Sequence, residues 1–200
     1  METIKVEVIK NGNVNIPNIE SGAKKERDFS SSINVENSFS SKKEYDIYFA
    51  GPLFTAAEIE FNLKLYKKLT DHGFKVFLPQ NECAGKTDLK TIFETCRNGI
   101  DISKIVLANM DQPDADSGTC FEAGYAYGKN TPIIAYRTDF RKSGDTGGFN
   151  LMLFYSALIV VEEPKEYISK IIEACNKYIK IEAKGRYDGK YPQLKINIPD

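Results

Sequence analysis

Across residues 45–181, short apolar runs alternate with longer segments whose apolar residues recur at helical spacing. The apolar runs predict strands at 47–50, 75–78, 105–108, 132–136 and 157–161. The longer segments predict helices after Thr55 and over 88–99, 118–127 and 165–178. Continuously apolar strands that alternate with helices are typical of a parallel sheet covered on both faces. The predicted fold class is therefore α/β, a doubly wound (Rossmann-like or flavodoxin-like) parallel sheet.

The first predicted helix has a clear start and a clear apolar pattern. Thr55 carries a hydroxyl of the kind that accepts a backbone hydrogen bond at a helix N-terminus. Four residues at helical spacing then predict the apolar face, namely Ile59, Leu63, Tyr66 and Leu69. This segment and the strand before it form one predicted βα unit.

The two ends of the chain follow other patterns. Residues 1–44 are predicted to be an N-terminal extension, with a possible hairpin that turns at Asn11-Gly12. Its second half, 21–43, is rich in Ser, Lys, Glu and Asn and reads as a flexible linker. Residues 182–200 have no strong period and are predicted to be a C-terminal tail. The α/β domain is accordingly assigned to 45–181.

Charge and composition exclude several classes of function. The 27 Lys and Arg balance 28 Asp and Glu, so a nucleic-acid partner is not expected. No apolar run approaches the ~18 residues of a membrane span, and the start of the chain lacks a signal-peptide pattern. We therefore expect a cytoplasmic protein with no membrane partner.

The cysteine and histidine residues predict neither a disulfide framework nor a metal centre. The four cysteines are scattered without a C-x-x-C pair, so free thiols are expected. The one histidine, His72, stands in an Asp-His-Gly sequence typical of a helix end. Metal-based and histidine-based catalysis are therefore disfavoured.

Candidate chemistry is sought directly after the strands, because ligands of open parallel sheets bind beyond the carboxyl ends of the strands. The first such segment contains Tyr48, Gly51 and Phe54. Gly51 allows a close backbone approach, and the aromatic rings are candidates to face a base or a sugar. The alternative interpretation is a strand end with aromatic residues in the core.

The second segment is acidic and leads into a helix that contains Gly118. Asp116 and Glu122 lie near the predicted helix start, where the helix dipole favours ionised carboxylates. An ionised carboxylate can attack carbon. The alternative is structural, since Thr119-x-x-Glu122 also fits a capping box.

The third segment runs from Arg137 and Arg141 through a glycine-rich loop to Asn150 and Met152. Such a loop can present the side-chain amide of Asn150 while it remains mobile. The alternative is that Asn150 opens a packed helix.

Taken together, Tyr48-Phe49-Ala50-Gly51-Pro52, the Asp116–Ala126 motif and Asn150-Leu151-Met152 resemble the nucleoside 2-deoxyribosyltransferase family over about residues 46–163. The resemblance implies that Glu122 attacks C1′ of a deoxyribose and that Asp116 lies near the base. It further implies that Tyr48 holds the glutamate and the sugar, and that Asn150 and Met152 serve the site of a neighbouring subunit. The remaining candidate substrate-binding residues are Gly51, Phe54, Gln80 and Gly118.

The resemblance also implies substrates, assembly and cofactors. Expected substrates are 2′-deoxyribonucleosides and free nucleobases, bound by a homo-oligomer with shared sites. No metal or organic cofactor is expected. The chain departs from the family at Cys96, where some members carry a base-contacting aspartate, and Asp101 is nearby but out of register. The preference between purine and pyrimidine bases therefore stays open.

Two rival functions fit the same residues. The first is hydrolysis of deoxynucleosides or their 5′-monophosphates, for which Arg137 and Arg141 are the candidate phosphate ligands. The second is a nucleotide-binding module without catalysis, which the presence of both Glu122 and Asp116 disfavours. Transfer is ranked first because Asn150-Leu151-Met152 resembles the transferases more closely.

Overall fold

The computed structural model describes residues 42–141, 148–162 and 165–182, with side chains as far as residue 179. The predicted hairpin, nearly all of the predicted linker and the tail after residue 182 lie outside these residues. Residues 142–147, which include two glycines of the third candidate segment, lie outside them as well.

The sheet has five strands in the order β2-β1-β3-β4-β5. The strands are β1 (Tyr45–Ala50), β2 (Val76–Phe77), β3 (Ser103–Asn109), β4 (Ile133–Arg137) and β5 (Ile159–Glu162). Every pairing is parallel, and Ile47 in the first strand pairs with Val76 on one side and Ile105 on the other. The predicted strands and the predicted fold class are confirmed.

Helices cover both faces of this sheet. They are α1 (Ala56–Asp71), α2 (Pro79–Glu82), α3 (Leu89–Asp101), α4 (Ser117–Gly128), α5 (Leu151–Ser156) and α6 (Tyr167–Glu182). Helices α1 and α6 pack together over one apolar layer, and α3, α4 and α5 pack over the other. No helix in the described part of the chain is long and apolar enough to cross a membrane. The sheet is therefore doubly wound.

Helix α1 begins as predicted but turns only part of its predicted apolar face to the sheet. Thr55 is its N-cap, and Glu58 completes a capping box with it. The buried residues of α1 are Asn62, Leu65 and Leu69. Of the predicted apolar face, Leu69 is buried and Tyr66 packs partly buried against the same layer, whereas Ile59 and Leu63 are exposed. Asn62 lies inward, where its Nδ2 donates to the carbonyl oxygen of Pro52 at 2.9 Å.

The strand order reverses between β1 and β3, whose carboxyl ends lie side by side. In doubly wound sheets this switch point opens a crevice for ligands. Gly51 follows β1, and a Cβ there would lie 3.3 Å from the Cβ of Asn109 at the end of β3. The missing side chain at Gly51 therefore lets the two strand ends approach closely.

Candidate active site

The side chain of Tyr48 crosses from the sheet to helix α4. Tyr48 is fully buried in β1, and its hydroxyl donates a hydrogen bond to Oε1 of Glu122. Its ring stacks on Phe77 of β2, with ring centroids 5.3 Å apart and an interplanar angle of 20°. This packing fixes the phenol, so the carboxylate of Glu122 has a donor whose position is set by the sheet.

Glu122 lies in the second turn of α4, where its carboxyl group is largely withdrawn from solvent. Burial raises the pKa of Glu122 to about 7, the Tyr48 hydrogen bond opposes that shift, and the Asp116 carboxylate adds to it. A carboxyl group with this pKa is only partly ionised at neutral pH. A carboxyl group with a pKa raised in this way is typical of functional sites.

Asp116 is the N-cap of α4. Its Oδ2 accepts hydrogen bonds from the backbone N of Thr119 at 2.9 Å and from the Thr119 hydroxyl at 3.2 Å. The capping box considered for Thr119-x-x-Glu122 is therefore wrong, because the cap lies three residues earlier and Glu122 bonds to Tyr48 instead. A Cβ at Gly118 would lie 3.0 Å from Oδ2 of Asp116, so this glycine makes room for the capping carboxylate.

Gln80 and Phe54 flank the same end of the sheet in different environments. Gln80 lies in α2 after β2, where its Oε1 accepts from Nδ2 of Asn62 at 3.2 Å and its Nε2 donates to the carbonyl oxygen of Ile59 at 3.3 Å. Phe54 follows β1 and is 76% exposed. Strand β1 thus carries a buried tyrosine, Tyr48, and the segment after it carries an exposed phenylalanine.

Asn150 and Met152 lie at the start of α5, apart from this cluster. Oδ1 of Asn150 caps the helix by accepting from the backbone N of Met152 at 2.9 Å, and the Met152 side chain is 72% exposed. Asn150 therefore opens a helix, which is the structural alternative given for it in the sequence analysis. Both residues are exposed.

The two arginines considered as phosphate ligands are engaged elsewhere. Arg137 is buried, and Nη1 donates to the carbonyl oxygens of Met110 and Gln112, each at 2.7 Å. Arg141 is exposed and pairs with the carboxylate of Asp139 at 2.5 Å. This pairing holds the pKa of Asp139 well below its usual range. Arg137 therefore joins the loop after β3 to the loop after β4, a role that sequence reasoning missed.

The cysteines are free thiols, as predicted. His72 is the C-cap of α1, also as predicted. No cluster of three or more His, Cys, Asp or Glu that could hold a metal ion occurs in the described residues.

The structure is a doubly wound parallel sheet in which β1 and helix α4 bring Tyr48 and Glu122 into contact, with a second acidic residue, Asp116, at the start of the same helix. A family model described as nucleoside 2-deoxyribosyltransferase matches residues 47–154. The chain belongs to the nucleoside 2-deoxyribosyltransferase family.

Solved structures share this fold. A conserved protein from Enterococcus faecalis V583 is 25% identical, with a TM-score of 0.56 over 67% of this chain and 98% of that one. A 2-deoxyribosyltransferase from Bacillus psychrosaccharolyticus is 21% identical, with a TM-score of 0.53 over 64% and 90%. A 2-deoxyribosyltransferase from Leishmania mexicana is 21% identical, with a TM-score of 0.51 over 64% and 97%. No curated protein matches the chain.

Proposed function

We propose that the chain transfers 2′-deoxyribose from a deoxynucleoside to a second nucleobase through a covalent bond between C1′ and Glu122. The observation that carries the proposal is the Tyr48–Glu122 pair, in which a weakly solvated carboxylate is held by a buried phenol. Family membership supports the substrate class. No metal or organic cofactor enters this chemistry.

The reaction consists of two displacements at one carbon. Ionised Glu122 attacks C1′ as the bond to the first base breaks, which gives a glycosyl ester. The second base then attacks C1′ from the face that the first base left, and Glu122 departs as a carboxylate. Two inversions retain the anomeric configuration. Tyr48 orients the attacking oxygen and stabilises the charge that returns to it.

The departing base needs a proton and a defined position. Both capping bonds of Asp116 end on Oδ2, which leaves Oδ1 as the oxygen that we assign to hand a proton to the departing base and to take one from the incoming base. We assign the exposed ring of Phe54 and the amide of Gln80 to contacts with the nucleoside. The small residues Gly51 and Gly118 keep backbone atoms accessible beside the sugar.

The test of this function is a base-exchange assay. Deoxyinosine with free adenine should yield deoxyadenosine and hypoxanthine, and thymidine should be tried as a second donor because the base preference is open. Inosine is the matched control for the missing 2′ hydroxyl, and deoxyinosine monophosphate tests whether a phosphate is needed. Hypoxanthine release that is equally fast without adenine identifies a hydrolase, whereas no reaction with any donor identifies a binding module.

The pH profile of the reaction should report the ionisation of Glu122. Because the carboxylate attacks only when ionised, kcat/KM is expected to fall as the pH drops through about 7. Replacing Tyr48 with phenylalanine removes the hydrogen bond that lowers this pKa, so the midpoint should rise by about one pH unit. Tyr66→Phe, at a partly buried tyrosine of α1 outside the Tyr48–Glu122 contact, is the matched control and should keep the parent midpoint. A midpoint below pH 5 in the parent chain would assign another role to Glu122.

We also propose that the chain acts as a homo-oligomer whose sites are shared. Helices α4 and α5 border an open groove of about 290 Å³, lined in part by Tyr127, Met152 and Tyr155. These three side chains are 50%, 72% and 60% exposed, which is an unusual concentration of apolar surface for an isolated subunit. A second copy of the chain that covers the groove would bury these three side chains. It would also bring Asn150 and Met152 of the first copy near the candidate site of the second copy.

Tyr155→Arg is expected to lower the oligomer mass and the transfer rate together, because a charge in a buried apolar contact is costly. Light scattering gives the mass, and the base-exchange assay gives the rate. The matched control is Leu89→Arg, which places the same charge at an apolar residue of α3 that is 81% exposed. Full activity in a parent chain of monomer mass would contradict the shared site.

A further inference from the structure

Cys83 and Cys96 are two thiols in contact. Cys83 is the C-cap of α2, Cys96 lies in α3, and their Sγ atoms are 3.8 Å apart. Both residues are partly exposed and neither is in a disulfide. A disulfide needs an S–S distance of about 2 Å, so an approach of roughly 2 Å between the two sulfur atoms would join them.

This pair lies beside the candidate nucleophile. Cys96 packs against the apolar layer that contains Tyr48 and Phe77. Tyr48 of this layer donates its hydroxyl hydrogen to Glu122. On the other side, Cys83 ends the short helix that carries Gln80. A bond between the two sulfur atoms would therefore act on both the phenol and helix α2.

We propose that Cys83 and Cys96 are an oxidation site, which closes to a disulfide with a hydroperoxide or a small-molecule disulfide and thereby slows transfer at Glu122. The effect on transfer rests on the function proposed above, whereas the bond itself does not. Each thiol gives up one proton and one electron, and one S–S bond forms. A hydroperoxide leaves as water and an alcohol (for hydrogen peroxide, two waters), and a small-molecule disulfide leaves as two thiols.

The exchange takes two steps. One thiol loses its proton and attacks the oxidant, and the other thiol then loses its proton and displaces the leaving group from the first sulfur. Burial raises the pKa of the Cys96 thiol to about 12 and the neighbouring Cys83 adds to the shift, so ionisation of Cys96 is unfavourable at neutral pH.

The disulfide changes what Tyr48 contacts. It draws the sulfur of Cys96 toward Cys83, so the packing of Cys96 against the layer that contains Tyr48 and Phe77 changes. A displaced phenol is a weaker donor to Glu122. The pKa of Glu122 should then rise further, and the ionised fraction at neutral pH should fall. We expect transfer at pH 7 to drop by about threefold to tenfold, the effect of losing one ordinary hydrogen bond.

The experiment treats the full chain with hydrogen peroxide or oxidised glutathione and maps its peptides by mass. A Cys83–Cys96 linked peptide is expected, and dithiothreitol should remove it and restore the transfer rate. Cys83→Ser should abolish both the linked peptide and the oxidant-dependent loss, with Cys83→Ala as the second variant should the serine variant not fold. Cys120→Ser is the matched control: it removes a partly exposed thiol whose neighbour is the Ala115 carbonyl, and it should keep both effects.

A second readout does not depend on activity. The carboxyl carbon of Glu122 can be titrated by NMR, and its midpoint should move upward from about 7 on oxidation. A folded, oxidised chain without the linked peptide overturns the proposal, as does a linked peptide with an unchanged Glu122 midpoint and rate. If the reduced chain transfers no sugar from any donor, the proposed function fails, while the linked peptide and the titration still decide on the oxidation site.

Discussion

Glu122→Ala is expected to lower the transfer rate by roughly four orders of magnitude or more while the chain stays folded, because a covalent route has no substitute nucleophile.

The stability of the chain should also depend on the ionisation of Glu122, because its pKa is raised in the folded state. The stabilising effect of this carboxyl group is complete when the pH is below its pKa in the unfolded chain, and it is lost as the pH rises through about 7. Replacement by the neutral Gln should therefore leave the unfolding temperature at pH 8 equal to that of the parent or higher.

Two further measurements separate a nucleophile from a structural residue. A 2-fluoro-substituted deoxynucleoside destabilises the cationic transition state and should leave a sugar adduct on Glu122, identified by peptide mapping. Asp88→Ala is the matched control, because Asp88 caps α3 through the backbone N of Thr91 and lies outside the candidate site. Its rate should stay within a few-fold of the parent. An adduct on another residue, or rapid turnover by Glu122→Ala, would refute the mechanism.

Arg137→Met is expected to lower the free energy of unfolding by about 3–5 kcal/mol, since it removes a buried guanidinium and leaves its carbonyl partners without donors. The partners include the backbone oxygens of Met110, Gln112 and Asp139, which belong to the loops after β3 and β4. Gln112 has a φ of 78°, a left-handed conformation that this contact holds in place. Chemical denaturation followed by circular dichroism measures the change.

Arg141→Gln is the control for Arg137→Met. Arg141 is also bonded to Asp139, but its side chain is 61% exposed, so its loss should barely change the denaturation midpoint. Equal effects of the two substitutions would show that the Asp139 pair, rather than the buried contacts with the carbonyl oxygens, holds the loops together.

The strands could be predicted from the sequence because each is a buried apolar run bounded by polar or turn residues. The inward face of α1 was predicted only in part: Phe61, Leu65 and Leu69 also recur at helical spacing, and the inward position of Asn62, bonded to the carbonyl oxygen of Pro52, is a tertiary contact without a local signal. The four-residue helix α2 was also missed, because it is too short to show a period. Local periodicity thus identified the layers but not the side chains that fix their orientation.

The candidate site shows the same limit. The sequence alone left Glu122 open between a helix cap and a nucleophile, and the resemblance to a family was needed to choose. The resemblance implied a contact between Tyr48 and this glutamate, and in the structure the Tyr48 hydroxyl, 74 residues away in the chain, donates to Glu122, while Asp116 is the cap of the helix. Contacts of this range depend on the folded sheet, so neither the bond to Tyr48 nor the Cys83–Cys96 contact has a signal in the spacing of residues.

Helix α3 lies so close to the sheet that one methyl group would disturb it. A Cβ at Gly99 would lie 2.6 Å from the ring of Phe77, the same ring that stacks on Tyr48. A larger residue at 99 would push that ring against the phenol that holds Glu122. A substitution at residue 99 is therefore expected to move the pH dependence of the proposed transfer, although no residue of the candidate site itself has been replaced.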